Sequence, residues 1–453
     1  MAIMPITDSM FLLGESREHP MHVGGLSLFE LPEGAGPDHV GQMYHQMLEY
    51  GEVSSLFRRQ PAGPVSSLGQ WMWSDDNDLD MEYHLRLSGL ARPGRVRELL
   101  ELTSRLHGSL LDRHRPLWEY HVIEGLEGNR FATYSKIHHA LLDGVGALRL
   151  MQSALSQDPG ERDMPPPWAP RPSRSRRGGG SSPVQTLTSA VRAVGDLVGL
   201  GPVLVKAANE LMREQAALVP FQAPRSMLNV PITGARRFAA QGWPLDRIKA
   251  VGRATGATLN DVMLAMCGGA LRRYLSELDA LPDRPLVAAV PVSLRGKAGV
   301  SDGGNAVGLI LCSLATDQDD DGVRLEQITA SMKRGKRLYA GLSALQITAL
   351  SAIPLVALVL TPIPGALNIV PPPFNVLISN VPGPRSPLYF NGARLQGIYP
   401  LSIPYEGQAL NITVTSYADS LEFGLTGCRR SVPHLQRLLG HLETSLTGLE
   451  KAI

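Results

Sequence analysis

The stretch around which this chain is organised reads Ile137-His138-His139-Ala140-Leu141-Leu142-Asp143-Gly144. Residues 130–137 have the β-branched and aromatic content of a strand, and apolar residues recur near helical spacing over 140–155. Neighbouring side chains of an extended strand point to opposite faces, so the two histidines cannot share one space while the strand persists. The pattern therefore predicts one working histidine and one structural histidine at the end of a strand.

The composition is that of a globular protein long enough for two domains. The 453 residues are 43% hydrophobic and 19% charged, and the formal net charge is +1, which indicates no nucleic-acid partner. The three cysteines, Cys267, Cys312 and Cys428, match no zinc or redox spacing and favour reduced thiols. Residues 1–8 contain neither a basic segment nor an apolar run. The sequence therefore predicts no signal peptide and a cytoplasmic location.

A stretch rich in proline, arginine and glycine divides the chain. We predict an N-terminal subdomain over 1–160, a linker with connecting helices over 161–228, and a C-terminal subdomain over 229–453. The triplet Pro165-Pro166-Pro167 and the arginine- and glycine-rich run 174–182 cannot pack a core, so they are typical of an exposed tether. Contact between these arginines and anionic lipid headgroups is the alternative interpretation.

A long apolar segment, residues 338–384, contains no charged residue. A membrane span needs about 20 apolar residues without interruption. Pro354, Pro362 and Pro364 break the run, so the segment does not predict a span. It predicts helices that line a core or an apolar channel, and contact with a membrane surface remains an alternative.

Patterns elsewhere predict the elements on which further candidate residues lie. Asn260-Asp261 precede a long helix that runs to Leu275, and we interpret them as its N-terminal cap. Residues 286–295 predict a buried strand that ends at an arginine. Residues 374–379 predict another strand, which enters the rigid turn Asn380-Val381-Pro382-Gly383-Pro384.

Three interpretations compete for the two histidines. A metal site needs three or four ligands, and no other cluster of His or Cys completes such a set. Alternatively, both imidazoles are satisfied structural groups and Asp143 caps the following helix. The third interpretation is general-base catalysis by a neutral imidazole, the side chain whose ordinary pKa lies closest to cellular pH.

Motifs for other chemistries are missing from the sequence. There is no Gly-x-Ser-x-Gly elbow, no cysteine with a credible partner nearby and no Gly-x-x-x-x-Gly-Lys-Ser/Thr loop. The glycine-rich run 301–305 opens no helix and is better explained as a turn. What remains is direct transfer between two bound substrates, with one histidine as the base and without a metal or redox cofactor.

The motif resembles that of a known superfamily. Residues 138–144 match the His-His-x-x-x-Asp-Gly signature of the acyl-CoA-dependent condensation superfamily. Over nearly its whole length the chain also resembles the bacterial wax ester synthase/diacylglycerol acyltransferase family. In chain order, the supporting pieces are Asp8-Ser9-Met10-Phe11, Pro20-Met21-His22-Val23, Pro116-Leu117-Trp118, Asn260-Asp261, Gly269-Ala270-Leu271-Arg272, Pro291-Val292-Ser293-Leu294-Arg295, Gly304-Asn305, Ser379-Asn380-Val381-Pro382-Gly383-Pro384, Asn411 and Ser416-Tyr417.

The resemblance implies an α/β (α+β) fold. Two subdomains similar to chloramphenicol acetyltransferase, each a mixed sheet with helices, would enclose a substrate tunnel. The resemblance implies that His139 is the general base and that Asp143 forms a salt bridge with Arg295. The candidate catalytic residues are His139, His138, Asp143 and Gly144. Substrate binding or structural support is expected from Asn260, Asp261, Arg295, Asn305, Ser379, Asn380 and Gly383.

The reaction implied by the resemblance is O-acyl transfer from a long-chain fatty acyl-CoA to diacylglycerol, which gives triacylglycerol. Two alternatives stay open at this point. The acceptor could be a long-chain fatty alcohol, which would give a wax ester, or the chain could be a catalytically silent lipid-binding member of the family. The expected partners are acyl-CoA, diacylglycerol or fatty alcohol, and the surface of the inner membrane face or of lipid inclusions, without nucleic acid.

Overall fold

The computed structural model describes residues 2–63, 71–171, 222–293, 307–340, 347, 350–351, 366–369 and 371–453. Several predictions fall outside these residues. They concern Arg295, Asn305, the arginine- and glycine-rich run 174–182 and much of the apolar segment 338–384.

Strands in the described part of the chain form two six-stranded mixed sheets and one three-stranded sheet. In chain order they are β1 (Ala2–Ile3), β2 (His22–Glu30), β3 (Arg59–Ala62), β4 (Met72–Asp75), β5 (Leu85–Gly89), β6 (Trp118–Leu126), β7 (Arg130–His138), β8 (Arg236–Pro244), β9 (Val287–Ser293), β10 (Val307–Ser313), β11 (Val376–Val381), β12 (Tyr389–Phe390), β13 (Ala393–Leu401), β14 (Leu410–Tyr417) and β15 (Ser420–Cys428).

Helices pack around these sheets. In chain order they are α1 (Ile6–Gly14), α2 (His39–Glu49), α3 (Ser55–Arg58), α4 (Met81–His84), α5 (Val96–His107), α6 (Gly144–Gln152), α7 (Leu245–Thr255), α8 (Leu259–Glu277), α9 (Asp321–Ala340), α10 (Ala366–Ile369) and α11 (Arg437–Lys451).

The first large sheet has the strand order β12-β13-β2-β7-β6-β5. Its central strand β7 pairs antiparallel with β2, and the register places His22 opposite His138. On one face, Leu26 and Leu28 of β2 share an apolar cluster with Leu99 of α5, which packs there through the apolar side of its helix. The opposite face of the sheet is therefore left to line the space between the two large sheets.

The second large sheet has the strand order β10-β9-β11-β14-β15-β8. Strand β11 runs parallel to both β9 and β14, and the other pairs are antiparallel. Helices α7, α8, α9 and α11 cover one face and share its largest apolar cluster, to which α8 contributes buried side chains on all sides. A helix enclosed in this way belongs to the core rather than the surface.

The first large sheet contains strands from both halves of the chain. Strands β12 and β13 lie beyond residue 388 in sequence, yet β13 pairs antiparallel with β2 in the first sheet. The predicted division of the chain near residue 229 stays a prediction, and the strand crossing ties the second half of the chain to the first sheet. No helix in the described ranges is both long and apolar enough to cross a membrane.

Helix α8 begins one residue earlier than the proposed cap. Its N-cap is Thr258, whose hydroxyl accepts the backbone N–H of Asp261 at 3.3 Å. The Asp261 carboxylate in turn accepts the backbone N–H of Thr258 at 2.9 Å. This reciprocal pair satisfies two N–H groups that the helix itself leaves free. The prediction that Asn260-Asp261 form the cap was wrong about the capping residue, because Asp261 acts from the first turn.

We expect the substitution Gly424→Ala to destabilise the contact between the two large sheets. A Cβ atom at Gly424 of β15 would lie 1.9 Å from the carbonyl oxygen of Pro400 on β13, so the strands must move apart. Such overpacking costs about 1–3 kcal/mol. Thermal unfolding measures the effect.

The matched control is Gly440→Ala in α11. An added Cβ at this exposed position meets no atom within 4 Å, and alanine in a helix is favoured over glycine by roughly 0.5–1 kcal/mol. We therefore expect Gly440→Ala to unfold at the same or a higher temperature than the wild type. A Gly424→Ala variant that behaves like this control would contradict the close approach of β13 and β15.

Candidate active site

Strand β7 places the two histidines of the motif in different surroundings. His138 ends the strand and is 0% exposed, whereas His139 follows it and lines a cavity. The carbonyl oxygen of His138 accepts the backbone N–H groups of Leu141 and Leu142, which forms a tight turn. Because of this turn, the helix predicted for 140–155 begins only at Gly144.

The buried ring of His138 organises the turn. Its Nδ1 accepts the backbone N–H of Ala140 at 3.1 Å, so the ring proton lies on Nε2, which is 3.2 Å from Oε1 of Glu15. Arg113 Nε donates to the other carboxylate oxygen of Glu15 at 3.0 Å. Burial raises the pKa of Glu15, but contacts with His138, the Met21 N–H and Arg113 outweigh it and hold that pKa below its usual value.

Sequence reasoning missed both Glu15 and Arg113. They lie 98 residues apart in the chain, and neither has a spacing that links it to the histidines. A single carboxylate after a short helix has no distinguishing pattern. Only the folded chain brings the pair against His138.

The ring of His139 stacks on Phe11 of α1, with 4.1 Å between ring centroids and 23° between ring planes. Its Nδ1 is buried and is not hydrogen-bonded to any other described residue, while the backbone of His139 itself forms a hydrogen bond that raises the pKa of the ring. Burial lowers the pKa of His139, and the nearby Asp143 carboxylate offsets this only in part, so the net pKa lies below the ordinary histidine value. The imidazole is therefore neutral near pH 7, the form that a general base requires.

A cavity of about 360 Å³ lies beside His139, between the two large sheets. Mainly apolar side chains and a few hydroxyls line it, a composition typical of sites for small molecules. Its polar side chains are Ser27, Tyr120, Thr133, Ser135, His139, Asp143, Gln152, Ser379, Ser402 and Thr413, and its apolar ones include Val23, Phe29, Leu148, Met151, Leu377, Val381 and Ile398.

Asp143 and Gly144 lie at the start of α6, on the edge of this cavity. Asp143 is the N-cap, and its Oδ1 accepts the backbone N–H of Gly146 at 2.6 Å. An N-cap carboxylate satisfies a free N–H and interacts favourably with the helix dipole. The contact orients the turn that presents His139. The predicted salt bridge to Arg295 lies outside the described residues and stays a prediction.

The remaining candidate residues occupy different places. Ser379 lines the cavity from β11, and Asn380 alternates to the other face of that strand. Gly383 allows a close backbone approach, because an added Cβ would lie 2.0 Å from the carbonyl oxygen of Ser416. Asn260 and Asp261 lie in the first turn of α8 and are not among the residues that line the cavity. The structure thus brings together His138, His139, Asp143, Gly144 and Ser379.

Two mixed sheets with an imidazole in the cavity between them define the class of chloramphenicol-acetyltransferase-like transferases and condensation domains. The first condensation domain of the CDA synthetase matches this architecture with a TM-score of 0.57 at 14% sequence identity, over 99% of this chain and 94% of that domain. At this identity the likeness concerns the fold alone. It confirms the fold class expected from the sequence.

This chain belongs to the wax ester synthase/diacylglycerol acyltransferase family. Residues 4–263 match the wax ester synthase/diacylglycerol acyltransferase catalytic domain, and residues 303–450 match the WS/DGAT C-terminal domain. The wax ester synthase/diacylglycerol acyltransferase from Marinobacter aquaeolei VT8 superposes with a TM-score of 0.81 at 44% identity, over 100% of this chain and 99% of that one. The family predicted from the sequence motifs is confirmed.

Two curated relatives extend over the same length. The probable diacylglycerol O-acyltransferase tgs2 of Mycobacterium tuberculosis (strain H37Rv) is 55% identical, and the match covers 100% of both chains. The O-acyltransferase WSD of Acinetobacter baylyi is 40% identical over 98% of this chain and 96% of its own. The chain thus aligns over nearly the whole length of proteins described as O-acyltransferases.

We expect Asp143→Asn and Asp143→Ala to separate two roles of this carboxylate. Asparagine keeps an oxygen that caps α6 and alanine does not, so their unfolding free energies should differ by about 1 kcal/mol. A loss of stability shared by both variants measures the contribution of the carboxylate charge, which the family resemblance assigns to a salt bridge with Arg295. Breaking a buried pair costs about 3–5 kcal/mol. Denaturant unfolding gives both quantities, and an Asp143→Asn variant as stable as the wild type would contradict the bridge.

Proposed function

We propose that this protein transfers a long-chain fatty acyl group from acyl-CoA to the hydroxyl of diacylglycerol, which gives triacylglycerol and free CoA. The observation that carries the proposal is the half-buried, neutral imidazole of His139 on a mainly apolar cavity between the two sheets. Long acyl chains fit an apolar lining, and a neutral imidazole is suited to take a proton from an alcohol.

In the proposed mechanism, His139 takes the hydroxyl proton while the acceptor oxygen attacks the thioester carbonyl. The tetrahedral intermediate then expels the CoA thiolate, which receives the proton from the imidazolium. No acyl-enzyme forms, so the C–S bond breaks and the C–O bond forms within one bound complex. Holding both substrates beside His139 makes the reaction effectively intramolecular, and the enclosed site excludes water that would hydrolyse the thioester.

The oxyanion of the intermediate needs hydrogen-bond donors. The Ser379 hydroxyl lies on the cavity wall opposite the histidine strand, and the backbone at Gly144 opens helix α6 on the same cavity. These two positions are our candidate donors. A helix N-terminus also favours negative charge, which supports a contribution from the first turn of α6.

Diacylglycerol is our proposed acceptor because the relative at 55% identity is described as a probable diacylglycerol O-acyltransferase. A long-chain alcohol is the alternative acceptor, since the Marinobacter protein at 44% identity carries both activities in its description. A silent lipid-binding member is the second alternative. The cavity position of His139 and the cap made by Asp143 support an enzyme instead.

The test measures acyl transfer from labelled palmitoyl-CoA to dioleoylglycerol or to hexadecanol. We expect His139→Ala to lower kcat by about 10²–10⁴-fold, since that is the contribution of a positioned general base. The control is His114→Ala, because the His114 side chain is 96% exposed and should not affect turnover. Wild-type turnover no higher than that of His139→Ala with either acceptor would contradict the proposal that the protein is an enzyme. A preference for hexadecanol would contradict the proposal that diacylglycerol is the acceptor.

We further propose that the protein works at an anionic lipid surface, on the inner membrane face or on lipid inclusions, and docks through α9. Lys333, Arg334, Lys336 and Arg337 are all exposed near the end of this helix. A groove of about 620 Å³ runs along α9, and three of these side chains line it. Clusters of basic side chains attract anionic headgroups, which supports this face as the contact.

The uncharged segment 338–384 begins directly after these basic residues. The hydroxyl of Tyr339, at the end of α9, lies 3.2 Å from the hydroxyl of Ser351 within that segment. The cationic face is therefore next to the beginning of the apolar segment. Charge beside apolar surface is the combination that peripheral lipid binding requires.

We expect Lys333→Glu/Arg337→Glu to bind phosphatidylcholine vesicles that contain phosphatidylglycerol at least about tenfold more weakly than the wild type, because each basic residue contributes about 1 kcal/mol at such a surface. Co-sedimentation measures the binding. The control, Arg97→Glu/Arg105→Glu, makes the same change in net charge on exposed positions of α5. Equal binding by the two variants, or a loss of CoA affinity without a loss of vesicle affinity, would contradict docking through α9.

A further inference from the structure

We propose that α1 positions the active site, and that Phe11 holds the imidazole of His139 in its working orientation and shields it from water. The proposal rests on the role of His139 as the base. It adds a residue from the N-terminal helix to the site, far from the motif in sequence. Phe11 is a positioning residue, because it acts through the base and not on the substrate.

The contact between Phe11 and His139 is a face-to-face one. The ring centroids lie 4.1 Å apart and the planes are inclined by 23°. The buried Nδ1 of the imidazole is not hydrogen-bonded to any other described residue, so its remaining hydrogen-bonding contact is with the backbone of His139 itself. A histidine base is usually oriented by a hydrogen bond at the nitrogen that does not react. At His139 no other described residue supplies such a bond, and the stacked ring of Phe11 adds a constraint on the ring plane.

The same helix also fixes the backbone on both sides of the base. Directly after α1, the Glu15 carboxylate accepts the backbone N–H of Met21 at 3.2 Å and lies 3.2 Å from His138 Nε2. The carbonyl oxygen of Met21 then accepts the backbone N–H of His139 at 2.8 Å. Arg113 secures the end of the helix, since its guanidinium donates to Leu12 O at 2.7 Å.

These contacts connect α1 to both histidines: Glu15 contacts both Met21 and His138, and Met21 accepts the backbone N–H of His139. The backbone of His139 is held by Met21, its ring by Phe11, and the turn after it by His138. Displacement of α1 would therefore shift the base together with the turn. A misplacement of about 1 Å in an active site can reduce the rate roughly a hundredfold.

The charged and titratable groups that face His139 come from several elements. Asp143 approaches from the start of α6, His138 from β7 with Glu15 behind it, and Tyr120 lines the cavity from β6. The cavity residues of β11, β13 and β14 bring no titratable side chain in the described chain. Burial is the largest influence on the pKa of His139 and lowers it.

Because burial lowers the pKa of His139, the direction in which this pKa changes when Phe11 is replaced can be predicted. Removing the Phe11 ring admits water to the imidazole, relieves the desolvation and lets the pKa of His139 rise toward its ordinary value. The base must be neutral to act, so kcat/KM falls as the pH drops through that pKa. The acid limb of the pH profile should therefore move to higher pH when the ring is lost.

The experiment compares Phe11→Leu with Phe11→Tyr. Leucine keeps an apolar side chain without a ring, and tyrosine keeps the ring. We expect Phe11→Leu to lower kcat about ten- to a hundredfold with little change in KM, and to move the acid limb up by about half a pH unit. Phe11→Tyr should restore most of the rate and the wild-type limb. Loss of the rate in both variants to the same extent would overturn the role of the ring.

The control for a general loss of packing is Phe57→Leu. Phe57 is 2% exposed in the same apolar cluster, but it contacts Trp118 rather than His139. Its substitution should lower thermal stability without moving the acid limb. A shift of the limb equal to that of Phe11→Leu would overturn the proposal.

A second measurement does not depend on turnover. The titration of His139, followed by NMR of histidine labelled with carbon-13 and assigned with His139→Ala, should move to higher pH in Phe11→Leu and stay in place in Phe11→Tyr. An unchanged titration in Phe11→Leu would overturn the shielding role. If the wild type transferred no acyl group but the titration moved as expected, the proposed function would fail while the contact between Phe11 and the imidazole stood.

Discussion

Alternation of side chains along β7 is the constraint on which the site depends. Thr133 and Ser135 face the cavity, and His139 continues that side beyond the end of the strand. On the opposite side, Tyr134 and Lys136 contact α5 and His138 contacts Glu15. Because the period is two residues, a slip of one residue against β2 would exchange the two sides. The pairing of β7 with β2 and β6 prevents such a slip. His139 therefore reaches the cavity, and His138 is enclosed on the other side of the strand.

Side chains of β7 that point away from the cavity hold the strand in place. Lys136 donates to the carbonyl oxygens of Leu106 and Ser109 at the end of α5, and its Nζ lies 2.8 Å from Glu119. Burial raises the pKa of Glu119, but His121 and Lys136 outweigh it and hold that pKa at about 2, so the carboxylate is ionised. A buried ion pair adds little net stability over an apolar pair, but it is strongly disrupted when one partner is removed. The pair therefore fixes the position of β7 under α5 more than it stabilises the fold.

The sequence predicted the strand, the two opposite histidines and the family, because these depend on local periodicity and on a contiguous motif. It placed the start of the following helix too early, since a tight turn at His138 and the cap at Asp143 both precede Gly144. It gave no indication of Glu15, Arg113 or Phe11 at the site. These residues reach the histidines only through long-range packing, and no spacing rule connects positions so far apart in the chain. The sequence also did not predict that β13 pairs with β2 in the first sheet, because this pairing joins residues that are far apart in the chain.

The pairing of β13 with β2 in the first sheet bears on how the cavity can select between substrates. Because β13 belongs to the first sheet and touches β15 of the second at Gly424, the walls of the cavity are fixed to one another. If the acceptor binds in this cavity, as the proposed function requires, it meets an apolar space with few hydroxyls. Such a space discriminates weakly, since one methylene changes the free energy of the transition state by only about 1–3 kcal/mol. A diacylglycerol and a long-chain alcohol present the same nucleophile, a hydroxyl on a lipid, to His139. Under the proposed mechanism, the base would recognise the hydroxyl and the walls would only limit the size of what is attached to it, which fits the two activities in the description of the Marinobacter protein.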